Sequence, residues 1–123
     1  MASSKLQALF QSIGGEPTLK IILRDFYSRM ASDILIGYFF QGKDLLAISD
    51  RQTQFLLYGS GLIKNYSGKS PTTAHRSLPP ISQGHFDRRL ILLRETLQEH
   101  GLSESNIQIW IDFENAFRDV ITF

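Results

Sequence analysis

The sequence predicts an all-α fold, and two observations support this. Apolar residues recur three or four positions apart in four segments, which is the spacing of one helix face. Strand signals are weak, because no alternating run of apolar and polar residues is bounded by hairpin turns. The chain has no internal repeat, low-complexity tract or obvious linker, so we expect a single domain over residues 1–123.

The first two main helices begin at residues that favour helix starts. Gly14-Gly15 breaks a short preceding helix, and Pro17 suits the first turn of the next one. The apolar stripe of that helix consists of Leu19, Ile22, Leu23, Phe26, Tyr27 and Met30. The second main helix starts near Asp44, a good N-cap, and ends at Gly59-Ser60-Gly61. One face of it carries Leu45, Ile48, Gln52, Phe55 and Leu56.

The other two main helices lie in the second half of the chain. The third runs from about Ser82 to His100, with Gly101 just beyond its end. Its aligned apolar residues are Phe86, Leu90, Leu93 and Leu97. The fourth starts at Ser103 and is apolar on two sides, so we expect it to be central to the packing. Its apolar residues are Ile107, Trp110, Ile111, Phe113, Phe117, Val120 and Ile121.

A long polar stretch, residues 61–81, separates the second and third main helices. Loops of this length inside a compact domain usually carry function or conceal a short element. Ser70-Pro71 suits a helix start, and Leu78-Pro79-Pro80 forces a stop. About two turns of helix fit between them. We therefore expect a short helix there, with His75 in its middle.

Composition excludes several kinds of site. The chain has 42% apolar and 20% charged residues, the balance of an ordinary globular protein. It lacks cysteine, which excludes disulfides, thiolate metal sites and cysteine nucleophiles. A net charge of +1 gives no general electrostatic reason to bind nucleic acid or an acidic membrane. No segment approaches the roughly 20 apolar residues of a membrane span, and no signal peptide is evident, so we expect a cytoplasmic protein.

Three histidines are the candidates for metal chemistry, since the motifs of nucleotide-binding loops, zinc proteases and serine hydrolases are absent. Helix capping explains His100, and position N3 of the helix capped by Ser82 explains His85. His75 differs, because prolines at both ends would hold its short helix rigid. His75 is therefore either a metal ligand or an ordinary residue that packs in the core or lies on the surface.

Two polar residues interrupt the apolar stripes. Tyr27 sits beside Phe26, and Gln52 lies between Ile48 and Phe55. Buried polar groups need hydrogen-bond partners, so the two residues satisfy each other or the backbone, or they donate to something bound inside the domain. With no cysteine and only one histidine that helix capping does not explain, the chain suits a cofactor that needs a single protein ligand better than a zinc site. Haem is such a cofactor, and the nine Phe residues suit burial of its ring.

Four stretches, in order, resemble the truncated globins, the two-over-two helical relatives of myoglobin, across roughly residues 7 to 120. They are Ile13-Gly14-Gly15-Glu16-Pro17, Asp25-Phe26-Tyr27-Ser28-Arg29-Met30, Phe39-Phe40-Gln41-Gly42, and Tyr66-Ser67-Gly68-Lys69 followed by Ala74-His75-Arg76-Ser77-Leu78. The first and third are most similar to group I of that family. The His-x-x-Leu-Pro-Pro stretch is also similar to another subgroup.

The resemblance implies a role for each matched residue. His75 falls on the proximal histidine, the ligand to the iron of haem b. Tyr27 falls on the distal tyrosine that hydrogen-bonds bound oxygen, and Gln52 on a position that often assists it. Ile48 falls where other globins carry a distal histidine, so we expect no histidine gate. Phe40 matches the aromatic residue that packs on the haem face.

The resemblance also implies contacts at the edge of the haem. Apolar residues expected to line the ring are Phe26, Phe55, Leu56, Leu78, Ile81, Phe86 and Leu93. Basic side chains pair with carboxylates at a pocket mouth, so Lys69, or Lys64 or Arg76, would meet the propionates. The alternative is that these three basic residues are ordinary surface residues.

Arg89 departs from the family pattern. It falls between Phe86 and Leu93 on one stripe, where the family usually has an apolar residue or tryptophan facing the haem. A buried, unpaired arginine would be very costly. Either the register slips by one residue at Pro79-Pro80, or Arg89 snorkels outward, or it reaches the distal pocket.

These observations lead to three hypotheses about the function. The first is a haem protein that binds oxygen, NO or CO opposite His75, with a nitric oxide dioxygenase activity if a reductase supplies electrons. The second is peroxide or sulfide chemistry at ferric haem, assisted by Arg89. The third is a haem-free helical interaction domain. We favour ligand binding or transport by a monomer or weak dimer.

Overall fold

The computed structural model describes residues 3–66, 68 and 80–122, and it is all-helical over them. The helices are α1 (Ser4–Ser12), α2 (Glu16–Ala31), α3 (Leu45–Gly59), α4 (Gln83–Glu99), α5 (Glu104–Asn115) and α6 (Arg118–Ile121). A 3₁₀ helix, Gly37–Phe40, lies between α2 and α3. The all-α class and the four predicted main helices, α2 to α5, are confirmed. Within the described residues, no helix has the length and apolarity that crossing a membrane requires.

The predicted helix starts are confirmed by their caps. The Asp44 carboxylate accepts the amide N–H of Ala47 at 3.1 Å, and the Ser103 hydroxyl accepts that of Asn106 at 3.2 Å. Ser82 and His85 form a reciprocal capping box, in which each side chain accepts the other's backbone N–H. His85 is thus a capping residue, as predicted.

The corner between α1 and α2 depends on glycine. Gly14 and Gly15 have φ values of +115° and +71°, a region that side-chain-bearing residues rarely adopt. A Cβ atom on Gly14 would lie 2.4 Å from the hydroxyl oxygen of Thr18. The corner sets the direction of α2, which carries Phe26 and Tyr27 into the core.

The core lies where α2 packs against α3 and α4, while α5 packs against α4 and α1. Phe10 and Trp110 meet edge to face at its far end, with ring centroids 5.1 Å apart. Helix α5 was predicted to be central to the packing, and this is confirmed for one of its faces. Ile107, Trp110 and Glu114 are buried, whereas Ile109 and the other apolar residues of α5 are only half-buried.

An ion pair fixes α4 against the corner that follows α2. The Arg88 guanidinium lies 2.7 Å from the Asp33 carboxylate, which also accepts the amide N–H groups of Leu35 and Ile36. Arg89, the next residue of α4, lies beside this pair in sequence. This ion pair is partly buried, so water and salt screen the attraction between its charges less than they would in a surface pair.

Candidate functional site

Tyr27 lies in the second half of α2, and its side chain is almost fully buried, with 7% exposed. Its ring packs between two others. The Phe26 ring is tilted against it at 5.5 Å between centroids, and the Phe40 ring of the 3₁₀ helix meets it edge-on at 5.9 Å. The structure therefore brings together Tyr27 and Phe40, two residues that the resemblance places at one site.

Arg89 of α4 reaches into the same region. Its Nη1 atom donates to Oε2 of Glu114 on α5 at 2.8 Å. The guanidinium carbon also lies 5.1 Å from the centroid of the buried Phe26 ring, a cation–π arrangement. Trp110 donates its indole N–H to the other Glu114 oxygen at 3.3 Å. Each carboxylate oxygen of Glu114 is thus matched by a donor.

The electrostatics connect Arg89 to Tyr27. Burial raises the pKa of the Tyr27 hydroxyl, while the charge of Arg89 and a hydrogen bond from it act in the opposite direction. Burial would by itself lower the pKa of Arg89, but the Glu114 carboxylate and the Tyr27 hydroxyl outweigh it and raise that pKa. Arg89 therefore stays charged and interacts with both groups.

The explanation in which Arg89 turns outward is wrong, since only 21% of its side chain is exposed and its head group contacts Phe26 and Glu114. Ser82 caps α4 as predicted, and the flanking stripe residues Phe86 and Leu93 are buried. Pro79, where the register would slip, lies outside the described residues. The explanation in which Arg89 extends inward agrees with the structure.

Sequence reasoning missed Glu114, the partner that makes this arrangement tolerable. A signal was present, because Ile107, Trp110 and Glu114 follow one another at intervals of three and four residues. That spacing puts the carboxylate on the buried face of an apolar helix. A charged residue on such a face indicates a buried partner of opposite charge.

Helix α3 contributes Ile48 and Gln52, both half-buried. The Gln52 amide makes no hydrogen bond to any described residue, whether Tyr27 or backbone. The interpretation in which Tyr27 and Gln52 satisfy each other therefore finds no support in this part of the chain. Among the described residues the Gln52 amide has no hydrogen-bond partner, so it can bind another group.

Several predicted lining residues keep part of their apolar surface uncovered. Phe40, Ile48 and Ile81 are half-buried and pack against the core cluster. Phe55 is also half-buried, with its ring 5.5 Å from that of Tyr66 and 5.6 Å from that of Phe117. Uncovered aromatic and aliphatic surface beside a buried tyrosine and a charged arginine fits a flat, largely apolar group such as haem.

Other predicted lining residues are already covered by protein. Phe26, Leu56 and Leu93 have no exposed surface, and Phe86 has 2%. The Arg118 guanidinium lies over the Phe86 ring at 4.7 Å. These four side chains belong to the packed interior in this structure, and their contact with a haem ring stays a prediction.

The predicted iron ligand is not among the residues that the structure describes. The segment predicted to form a short helix around His75 lies outside the described ranges, as do Lys69, Arg76 and Leu78, and Lys64 is exposed. Within residues 3–66, 68 and 80–122, no group of three or more His, Asp and Glu side chains is arranged to hold a metal ion. The described histidines have structural roles. His85 caps α4, and His100 ends it, with Nε2 2.8 Å from the Asp25 carboxylate.

Comparison with known proteins shows the same fold. The model of the bacterial-like globin family matches residues 8–123. A group 1 truncated haemoglobin of Tetrahymena pyriformis is 31% identical over 104 residues, which are 85% of each chain. One from Nostoc commune is 27% identical over 107 residues, 87% of this chain and 90% of that protein. The Fe(III) structure of the T. pyriformis protein has a TM-score of 0.84 at 27% identity, covering 93% of this chain and 97% of that one.

These likenesses extend over nearly the whole chain and confirm the resemblance read from the motifs, including its similarity to group I. They overturn the hypothesis of a haem-free interaction domain. The chain belongs to the bacterial-like globin family as a group 1 truncated haemoglobin, which binds haem b and, at the haem iron, small diatomic ligands.

Proposed function

We propose that His75 holds the haem iron and that Tyr27 and Gln52 stabilise oxygen on the opposite side of the ring. Haem, when bound, supplies the iron at which the diatomic ligand coordinates. The observation that supports the proposal most strongly is the position of Tyr27, a buried phenol whose ring packs between Phe26 and the half-buried Phe40.

The charge of Arg89 acts on the Tyr27 hydroxyl and opposes the rise in its pKa that burial causes. Burial is the larger effect, so the phenol keeps its hydrogen and can donate it. Bound oxygen carries partial negative charge, so a preorganised O–H donor beside it lowers its energy and slows its release. Gln52, with an amide that no described residue engages, is the second donor in this proposal.

The same pocket supports oxidation of nitric oxide. We propose a nitric oxide dioxygenase activity, in which NO, oxygen and one electron give nitrate. In this proposal a separate reductase supplies that electron. Ile48 suits this reaction, because a half-buried aliphatic side chain leaves the ligand side without the histidine gate of other globins.

The experiment that tests the proposal is oxygen release from a Tyr27→Phe variant, followed by stopped-flow spectroscopy of the ferrous protein. Loss of one hydrogen bond to a charged acceptor is worth about 1.5–3 kcal/mol, so release should be about 10- to 100-fold faster. Tyr58→Phe is the matched control, because that phenol is on the outer face of α3, 46% exposed. Equal release rates in wild type and Tyr27→Phe would contradict the assigned role.

A further inference from the structure

We propose that Tyr58 and Tyr66 form a redox-active pair, through which electrons pass from a small reductant at the protein surface to the haem pocket. The reductant is a one-electron donor such as ascorbate, and the oxidant is hydrogen peroxide. The inference rests on the proposed function in one respect, since it requires haem to be seated against Phe55. It goes beyond that function because it assigns a separate site, on the outer side of α3, where a reductant is oxidised.

Three aromatic rings form a continuous path from a predicted haem-lining residue to the surface. The Phe55 ring lies 5.5 Å from that of Tyr66, measured between centroids, which is a contact distance for aromatic rings. The Tyr66 ring in turn stacks on that of Tyr58, with centroids 5.8 Å apart and planes inclined by 26°. Phe55 and Tyr66 are half-buried, whereas Tyr58 is 46% exposed. Electron transfer slows steeply with distance, so rings in contact provide its most favourable steps.

The local sequence brings these three rings together. Phe55 and Tyr58 are three residues apart on α3, so their side chains are neighbours on the helix surface. Tyr66 follows the helix, and its ring lies against both of them. A Cβ atom on Gly68 would lie 2.3 Å from Cζ of the Tyr66 ring, so glycine at this position leaves room for the phenol.

The chemistry of phenols suits the two tyrosines to this role, because a phenol that loses one electron also releases its hydroxyl proton. Two such oxidations supply the two electrons and two protons that convert one hydrogen peroxide into two water molecules. The reductant then returns one hydrogen atom to each oxidised tyrosine. Burial raises the pKa of the Tyr66 phenol, so it keeps its proton, whereas Tyr58 is exposed enough to release its proton to water. Tyr58 is therefore the residue at which the reductant is oxidised.

Tyr38 offers a matched comparison within the same chain. It is 45% exposed, so its phenol is as accessible to water as that of Tyr58. In the part of the chain that the structure describes, its ring contacts Phe39 and His85, and no ring contact joins it to Phe55 or Tyr66. The path of ring contacts thus predicts oxidation of Tyr58 in preference to Tyr38, although exposure alone would predict both equally.

The test treats the haem-loaded ferric protein with stoichiometric hydrogen peroxide and no reductant. Two oxidised Tyr58 side chains from different molecules then join through a carbon–carbon bond, which gives covalent dimers with dityrosine fluorescence. We expect the wild type and Tyr38→Phe to form these dimers, and peptide mapping by mass spectrometry to locate the bond at Tyr58. Tyr58→Phe should lose most of them. Ascorbate added before the peroxide should prevent dimer formation in the wild type.

A second variant tests the inner member of the pair. Tyr66→Phe keeps a ring between Phe55 and Tyr58 but removes the phenol, so we expect the tyrosyl radical to appear more slowly in freeze-quench electron paramagnetic resonance. Equal dimer yields in Tyr58→Phe and Tyr38→Phe, a bond mapped to Tyr38, or an unchanged radical rate in Tyr66→Phe would overturn the inference. Failure of the proposed function is recognised separately, by the oxygen release rate of Tyr27→Phe.

Discussion

Arg89 and Glu114 form an ion pair between α4 and α5, with Nη1 2.8 Å from Oε2, at positions where both helices are otherwise packed with apolar residues. The pair contacts Phe26 and Trp110, and the charge of Arg89 acts on the Tyr27 hydroxyl. Buried ion pairs seldom add stability over apolar packing.

The pair has a testable energetic signature. Arg89→Met leaves the Glu114 carboxylate buried without its cation, so we expect it to lower the free energy of unfolding by about 3–5 kcal/mol. The double variant Arg89→Met/Glu114→Gln should recover most of that loss, because it leaves no unpaired charge. Urea denaturation of the wild type, Arg89→Met, Glu114→Gln and the double variant measures the coupling free energy between the two side chains. Simple additivity of the two single effects would show that the pair is not coupled.

Haem retention tests the assignment of the iron ligand. We expect His75→Ala to lose or greatly weaken its Soret band after reconstitution with hemin, because the one proposed imidazole ligand has gone. His100→Ala is the control, since that ring binds the Asp25 carboxylate at 2.8 Å and ends α4. It should retain a full Soret band. The reverse pattern would place the iron ligand elsewhere.

Acid stability should depend on Asp33. A hydrogen bond from Arg88 lowers the pKa of this carboxyl below 3.8, against the effect of burial. A lowered acid pKa stabilises the fold above the unfolded pKa, and the contribution is lost as the pH falls through the folded value. The difference in urea midpoint between wild type and Asp33→Asn should therefore be largest near pH 7 and shrink toward pH 3. Asp50→Asn, in an exposed pair with Arg24 at 3.4 Å, should show little effect at either pH.

The corner before α2 should tolerate only glycine at position 14. Gly14→Ala places a side chain at φ +115° and a Cβ atom 2.4 Å from the Thr18 hydroxyl, so we expect a loss of about 1–3 kcal/mol. The matched control is Gly84→Ala in the first turn of α4, where the nearest atom lies 3.7 Å away. That change should be neutral or stabilising by up to about 1 kcal/mol. Equal thermal midpoints for the two variants would contradict the assigned role of the corner.

Much of the fold was predictable because its signals are local. The caps at Asp44, Ser82 and Ser103 each bind an amide three residues ahead, so that four consecutive residues contain the whole interaction. The apolar stripe of α2 likewise identified a buried face from spacing alone. Motif order then identified the family, and with it the expectation that Tyr27 and Phe40 share one site.

The sequence by itself thus determined the helices, the family and the candidate residues on each face. Only the tertiary structure decided what Arg89 does. Its partner Glu114 is 25 positions away on another helix, and no local pattern specifies which side chain a buried charge will meet. That choice follows from how α4 and α5 pack, because the energy of a buried charge depends on every group within a few ångströms of it. Packing converts an arginine that disagreed with the family pattern into a paired cation beside Tyr27.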